Sequence, residues 1–180
     1  MKLERDRSVL VVVDVQEAFR SAVLDFARVA GNVAILVQGA HVLGIPVIVT
    51  EQYPKGLGRT IPEVSRHLDG IDPIEKLCFS AAGSDKFAGR LDDSGRDQVL
   101  LSGIESHVCV SQTADDLLTA GKAVHVAQDA VSSRTEENRR LGLHKMERAG
   151  AVLTSVETAL FELLREAGTP EFKEIQKLVK

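Results

Sequence analysis

Short apolar runs alternate along the chain with longer segments in which apolar residues recur every three or four positions. The first run, 8–14, is β-branched and apolar on both faces, which is typical of a central strand in a parallel sheet. Segment 22–43 has apolar residues at helical spacing and ends at Gly44, a residue that commonly follows a helix. The same patterns predict further strands at 45–50, 72–79, 97–101, 123–127 and 150–154, and further helices at 84–91, 108–120, 136–149, 156–166 and 170–180.

This alternation predicts a single α/β domain over residues 1–180, with a parallel sheet covered by helices on both faces. Segment 51–62 is dense in glycine and proline and is predicted to be a loop long enough to be functional. Segment 128–134 is predicted to be a second loop. In open sheets of this kind, ligands bind beyond the carboxyl ends of the strands.

Composition narrows the possible partners. The formal net charge is −4, so neither nucleic acid nor an anionic membrane is expected as the main partner. The two cysteines are too few for a disulfide scaffold and are expected to be reduced, as in a cytoplasmic protein. The N-terminus does not resemble a signal peptide, and the apolar runs are shorter than a membrane span. A small-molecule substrate is the expected partner.

Cys109 is the first candidate for chemistry. It follows the predicted strand 97–101 and a break at Gly103, and it lies where the helix 108–120 begins. The positive end of a helix dipole favours a thiolate over a thiol, which suits a nucleophile. The alternative is that Cys109 is a small buried apolar residue, as most free cysteines are.

Asp14 and Lys76 also lie near predicted strand ends. A thiolate, a carboxylate and an ammonium can together perform nucleophilic catalysis, with the carboxylate moving the proton. Taken singly, Asp14 could cap the following segment and Lys76 could be a solvated surface charge. No glycine-rich dinucleotide fingerprint or phosphate loop is present, so no nucleotide cofactor is expected.

Four stretches resemble the motifs of one known family, the isochorismatase-like cysteine hydrolases. They are VVDVQEAF around Asp14, EKLCFS around Lys76, GIESHVCVSQTA around Cys109, and DAVSSR at 129–134. The similarity runs from about residue 7 to residue 155.

The resemblance implies a three-layer α/β/α fold with a six-stranded, Rossmann-like parallel sheet in the order 3-2-1-4-5-6. It implies a triad with Cys109 as nucleophile, Asp14 as general base and acid, and Lys76 as the charge that lowers the thiol pKa. It also implies a non-proline cis peptide between Ile104 and Glu105, and an oxyanion hole made by the N–H groups of Glu105 and Cys109. Relatives are commonly oligomeric, so a homo-oligomer is expected.

The chain departs from the metal-binding members of that family. Nicotinamidases carry an Asp-x-His motif and further histidines after the second strand, where this chain has Glu51, Gln52 and Tyr53. No metal and no cofactor are therefore expected. Gln52 and Tyr53 are predicted to line the pocket beside Cys109, the alternative being an exposed connector. Structural roles are expected for the histidines His41, His107, His125 and His144.

The leading hypothesis is a hydrolase of a small amide, imide or related acyl compound that forms a thioester at Cys109. One alternative is a catalytically vestigial binding or scaffold protein. Another is a redox-sensing thiol, with Cys78 as a resolving partner. The helix 170–180 has an apolar stripe that could dock on the body or on a neighbouring subunit, and we predict that it forms an interface.

Overall fold

A computed structural model describes residues 1–180 of the chain, which form a six-stranded sheet between two layers of helices. All pairings are parallel and the strand order is 3-2-1-4-5-6. The predicted three-layer α/β/α fold is confirmed. The strands are β1 (Ser8–Val13), β2 (Val47–Gln52), β3 (Ile74–Lys76), β4 (Gln98–Ile104), β5 (Ala123–Ser132) and β6 (Val152–Thr154). The helices are α1 (Phe26–Leu43), α2 (Pro54–Leu57), α3 (Pro62–Ser65), α4 (Asp85–Asp93), α5 (Ser111–Thr119), α6 (Glu136–Ala149), α7 (Val156–Leu164) and α8 (Pro170–Val179).

Strand β1 lies between β2 and β4 at the centre of the sheet. Val9, Val11 and Val13 enter the apolar core on one face, while Leu10 and Val12 enter the core on the other. Because both faces are covered, every residue of the strand is buried. This double burial explains why the sequence of β1 is apolar without alternation.

Two cores stabilise the fold, one on each face of the sheet. Helices α1, α7 and α8 cover the first core, which includes Val33 and Leu160. Helices α4, α5 and α6 cover the second, which includes Phe87 and Met146. The carboxyl ends of β1 to β4 all open on the same edge of the sheet, where the candidate residues lie.

Helix α1 is long and apolar enough to cross a membrane by length and composition alone. A core helix that is mostly buried passes the same test. In the fold, 56% of the 18 residues of α1 are buried, and Val29, Val33 and Val37 pack into the first core. The apolar face of α1 is therefore used inside the protein.

Helix α8 packs on the body of its own chain. Ile175 is fully buried in the first core, and Leu178 and Val179 pack against it. The ring of Phe172 meets Phe161 edge-on, with 6.4 Å between ring centroids. Of the two alternatives for the apolar stripe, docking on the body is confirmed, because the stripe packs on α1 and α7. That the helix also takes part in an intersubunit interface stays a prediction.

Strand β5 is longer than predicted. It was expected to end at residue 127, with a loop from 128 to 134, but it continues to Ser132. The register with β4 shifts after Leu101, so that Gly103 pairs with Val131 and Ile104 with Ser132. The polar residues around the shift hid this second half of the strand from a pattern-based prediction.

Other boundaries also differ from the sequence prediction. Helix α1 begins at Phe26 rather than at 22, because Leu24 is bonded to the end of β5 and the residue after it. The Leu24 N–H donates to Ser133 O at 3.0 Å, and the Leu24 carbonyl accepts from Ser132 Oγ at 2.7 Å. Strand β3 is shorter than the predicted 72–79. The predicted loop 51–62 contains the end of β2 and the one-turn helix α2.

Candidate active site

Three strand ends bring the predicted triad residues together. Asp14 follows β1, Lys76 ends β3, and Cys109 lies between β4 and α5. Lys76 Nζ is 2.7 Å from Asp14 Oδ2, and both side chains are fully buried. Cys109 is 7% exposed. A buried charge is tolerated when it is paired in this way.

Backbone geometry fixes the position of Asp14. Its φ of 52° lies in the left-handed region, which residues other than glycine rarely adopt outside constrained sites. Thr50 Oγ1, on the neighbouring strand β2, donates a 2.7 Å hydrogen bond to Asp14 Oδ1. One carboxylate oxygen is therefore bonded to Thr50 and the other to Lys76.

Gly103 permits the close approach of β4 to β1 beside Asp14. Its φ is 119°, and a Cβ atom at this position would lie 2.0 Å from Val13 O. No side chain can be accommodated there without separating the two strands that hold the site.

The Lys76 ammonium is surrounded by acceptors. Besides Asp14, it donates to Gln52 Oε1 at 2.8 Å, to Phe79 O at 3.0 Å and to Cys78 O at 3.2 Å. The chain after β3 thus wraps around the ammonium and presents main-chain carbonyls to it. This arrangement compensates for the loss of water around a buried cation.

Cys109 lies in a π-helical turn, Ser106–Val110, that joins β4 to α5. The sequence predicted an α-helix from residue 108, whereas α5 begins at Ser111. The peptide bond between Ile104 and Glu105, just before the turn, is cis. Single π turns within helices are frequent at functional sites.

Two contacts hold this turn against the rest of the protein. Thr113 Oγ1 donates to Cys109 O at 2.7 Å and accepts from Ala81 N at 2.9 Å, which links the turn to the chain after β3. From α6, Gly142 packs so closely that a Cβ atom there would lie 2.6 Å from Ser106 C.

The side of the turn that faces β5 is held by a small polar cluster. Ser106 Oγ and Ser133 Oγ are 2.6 Å apart, and His107 Nδ1 is 3.0 Å from Ser133 Oγ. His107 thus bonds to the scaffold, as expected of a residue with a packing role.

Glu105 forms the other edge of the turn. Its Oε1 accepts from Arg134 Nε at 3.0 Å and from Arg134 N at 3.2 Å. The Glu105 N–H, by contrast, donates to no acceptor within the protein.

Burial raises the pKa of the Cys109 thiol to about 12. The charge of Asp14 raises this pKa further, while the charge of Lys76 lowers it. The sequence analysis expected Lys76 to lower the thiol pKa, and its contribution has that sign. The prediction of a net lowering is wrong, because burial in the second core outweighs the effect of Lys76.

The loop after β2 contributes Gln52, whose amide connects two parts of the site. Its Oε1 accepts from Lys76, while its Nε2 donates to Leu77 O at 2.8 Å. The Tyr53 side chain is 51% exposed and its ring lies against Gly56. Gln16 fastens the loop, accepting from Gln52 N at 2.7 Å and donating to Gln52 O at 2.9 Å.

No three His, Cys, Asp or Glu side chains converge in a way that could hold a metal ion. The remaining predicted structural histidines lie apart from the site. His41 Nε2 is 2.8 Å from His67 O, His125 is buried in β5, and His144 is exposed on α6.

Sequence reasoning missed Thr50, Gln16 and Thr113. The position of Thr50 carried a usable signal, since it ends a predicted strand next to the one that precedes Asp14. The roles of Gln16 and Thr113 depend on a loop path and a helix start that no sequence pattern specifies.

The chain matches the model of the isochorismatase domain family over residues 8–158. Among curated proteins, isochorismatase domain-containing protein 2 of Danio rerio is 41% identical over 178 residues, covering 99% of this chain and 89% of the relative.

Solved structures share the same fold. The MAR1 ribonuclease of Caenorhabditis elegans is 40% identical, with a TM-score of 0.94 over 99% of this chain and 92% of that chain. The YcaC product of Escherichia coli, described as an octameric hydrolase of unknown specificity, is 23% identical, with a TM-score of 0.92 over 99% of this chain and 90% of that one. The match over most of the chain, together with this degree of identity, places the protein in the isochorismatase family, whose hydrolase fold it shares.

Proposed function

We propose that the protein hydrolyses a small amide, imide or related acyl compound through a thioester at Cys109. The observation that carries the proposal is the buried pair of Asp14 and Lys76, which acts electrostatically on the Cys109 thiol. A scaffold protein gains nothing from burying two charges beside a cysteine, because desolvation makes such a pair costly.

In the first half of the reaction, Cys109 Sγ attacks the carbonyl carbon of the substrate. Because the thiol pKa is about 12, the thiol is protonated at neutral pH, and its proton passes to Asp14 as the carbon–sulfur bond forms. The ammonium of Lys76, 2.7 Å from Asp14, balances the carboxylate charge before the transfer, and the net charge of the cluster stays constant because the proton moves within it. The N–H groups of Glu105 and Cys109 donate to the oxyanion that develops.

The tetrahedral intermediate then collapses. The carbon–nitrogen bond breaks, Asp14 returns the proton to the leaving nitrogen, and ammonia or an amine departs from the thioester. A water molecule next attacks the thioester while Asp14 accepts its proton. Collapse of this second intermediate releases the carboxylic acid and returns the proton to Cys109.

A panel of small amides and imides tests the proposal by ammonia release. We expect the wild-type protein to turn over at least one class of amide and Cys109→Ala to show no turnover, since the variant has no nucleophile. Chelation should leave the activity unchanged. Ammonia release by Cys109→Ala at the wild-type rate would refute the thioester mechanism.

Two alternative functions can be tested with the same wild-type and variant proteins. The C. elegans relative is named a ribonuclease, but the net charge of −4 of this chain is unfavourable for binding a polyanion. Cleavage of RNA that is lost in Cys109→Ala would favour that activity. Reversible oxidation of Cys109 without hydrolysis would favour a redox sensor.

We further propose that the protein is a cytoplasmic homo-oligomer. Both cysteines are free, which fits a reducing compartment, and a relative of the same fold is described as octameric. Sedimentation velocity and cell fractionation test these two proposals, and a monomer at micromolar concentration would refute the first.

A further inference from the structure

The strongest unexplained feature near the site is a group of exposed apolar side chains. Leu77 is 74% exposed, Phe79 54% and Tyr53 51%. They are three of only seven large apolar side chains that the fold leaves exposed. We call Tyr53, Leu77 and Phe79 the apolar rim.

Hydrogen bonds connect the apolar rim directly to the catalytic groups. The carbonyl of Phe79 accepts from Lys76 Nζ, the carbonyl of Leu77 accepts from Gln52 Nε2, and Tyr53 N donates to Lys76 O at 3.0 Å. The segment 77–81 then continues to Ala81, whose N–H is joined through Thr113 to the carbonyl of Cys109. Leu77 and Phe79 therefore lie on the segment that runs between Lys76 and the Cys109 turn, and Tyr53 is bonded to the start of that segment.

The charges of the site are already paired. Asp14 is matched by Lys76, and Glu105 by Arg134. An ionic substrate group would have to compete with one of these partners for its counter-charge. An apolar group would instead cover side chains that now face water, which is favourable in proportion to the area covered.

We infer that the substrate is a neutral acyl compound with an apolar substituent, which the apolar rim binds while the acyl carbon lies at Cys109. This inference rests on the proposed hydrolysis and specifies its substrate class. Leu77 and Phe79 are then the residues that determine specificity, and Lys76 and Gln52 hold their segment in place.

Two series of compounds test the inference. The first is the hydrolysis of linear amides from acetamide to hexanamide. The second is the alkylation of Cys109 by N-alkyl iodoacetamides of increasing length, which requires no turnover. All proteins carry Cys78→Ser, so that Cys109 is the only thiol. The variant is Leu77→Ser with Phe79→Ser, and the matched control is Leu141→Ser, which changes a leucine that is 61% exposed on helix α6 and does not belong to the apolar rim.

We expect rates in both series to rise with chain length, up to about fourfold for each methylene that the rim covers. The double variant should flatten this dependence, and the control should retain it. Hydrolysis with no dependence on chain length overturns the inference but leaves the proposed function intact. Length-dependent alkylation without any hydrolysis supports the rim and refutes the hydrolase.

Two further outcomes would overturn the inference. If the double variant sediments differently from the control while its chain-length dependence is unchanged, the rim is a contact between copies of the chain, and the inference fails. If Cys109 reacts with no compound of either series, both the inference and the proposed hydrolysis fail.

Discussion

Burial determines the protonation state of Cys109. A pKa raised to about 12 makes the thiolate a minor species at neutral pH, more so than in an ordinary cysteine. The nucleophile cannot rely on prior ionisation, as a helix-start position alone suggested. In the proposed mechanism it depends on Asp14 as a base during the attack.

Replacing Asp14 with asparagine should therefore have opposite effects on two measurements. Hydrolysis should fall by about 10²–10⁴, because the general base is lost. Alkylation of Cys109 by iodoacetamide at pH 9 should become faster, because a charge that raises the thiol pKa is removed while Lys76 still lowers it.

The matched control is Asp115→Asn, which changes an exposed-face carboxylate paired with Lys145 at 2.5 Å. It should alter neither rate. If Asp14→Asn slowed hydrolysis and alkylation alike, the view that Asp14 suppresses the thiolate would be wrong.

At the scale of the element, helix α6 determines where the turn of Cys109 lies. Gly142 brings the helix against the backbone of Ser106, and Ser133 holds the neighbouring residues from β5. The position of the nucleophile thus depends on an element more than thirty residues later in the chain.

We expect Gly142→Ala to destabilise the protein by about 1–3 kcal/mol and to reduce kcat, because the added methyl group pushes against the backbone of the turn. The control is Gly89→Ala in α4, where no atom lies within 4 Å of the added Cβ. That change should stabilise the helix by about 0.5–1 kcal/mol, since alanine favours helices more than glycine does. Denaturant unfolding measures both effects, and equal behaviour of the two variants would contradict this account.

The sequence predicted the elements well where hydrophobic periodicity was strong, as in β1, α1 and α6. It failed in the second half of β5, where strand pairing with β4 overrides the polar residues in the sequence. The triad positions were accessible from strand ends and motifs. The role of Gln16 could not be predicted from the sequence, because it depends on the path of a loop. The pKa of Cys109 could not be predicted either, because it depends on how deeply the thiol is buried.

At the scale of the whole molecule, one buried titratable group outside the site affects the free energy of unfolding. His125 on β5 is 1% exposed, and neither of its ring nitrogens has a partner. Burial lowers its pKa from 6.5; Glu162 raises it slightly, and the N-terminus lowers it. Below about pH 6.5 the unfolded chain binds a proton that the folded chain does not, so stability falls as the pH falls through this range.

The variant His125→Leu should remove this contribution to acid sensitivity. It replaces two unbonded polar atoms with an apolar side chain, so we expect a gain of about 1–2 kcal/mol at neutral pH and a larger gain at pH 5. The measurement is urea unfolding at both values, with His144→Leu on the surface as the control. A gain that does not depend on pH would show that His125 has no part in the acid response.

The segment after β3 holds Lys76 through the main-chain carbonyls of Cys78 and Phe79 rather than through their side chains. Main-chain groups are present whatever the side chains are, so mutation can alter residues 77 and 79 without removing an acceptor from the ammonium. If the proposed function and the inferred role of the apolar rim hold, the reaction machinery and the surface that selects a substrate can change independently over evolutionary time. Exchanging this short segment between relatives should transfer substrate preference while leaving hydrolysis itself in place.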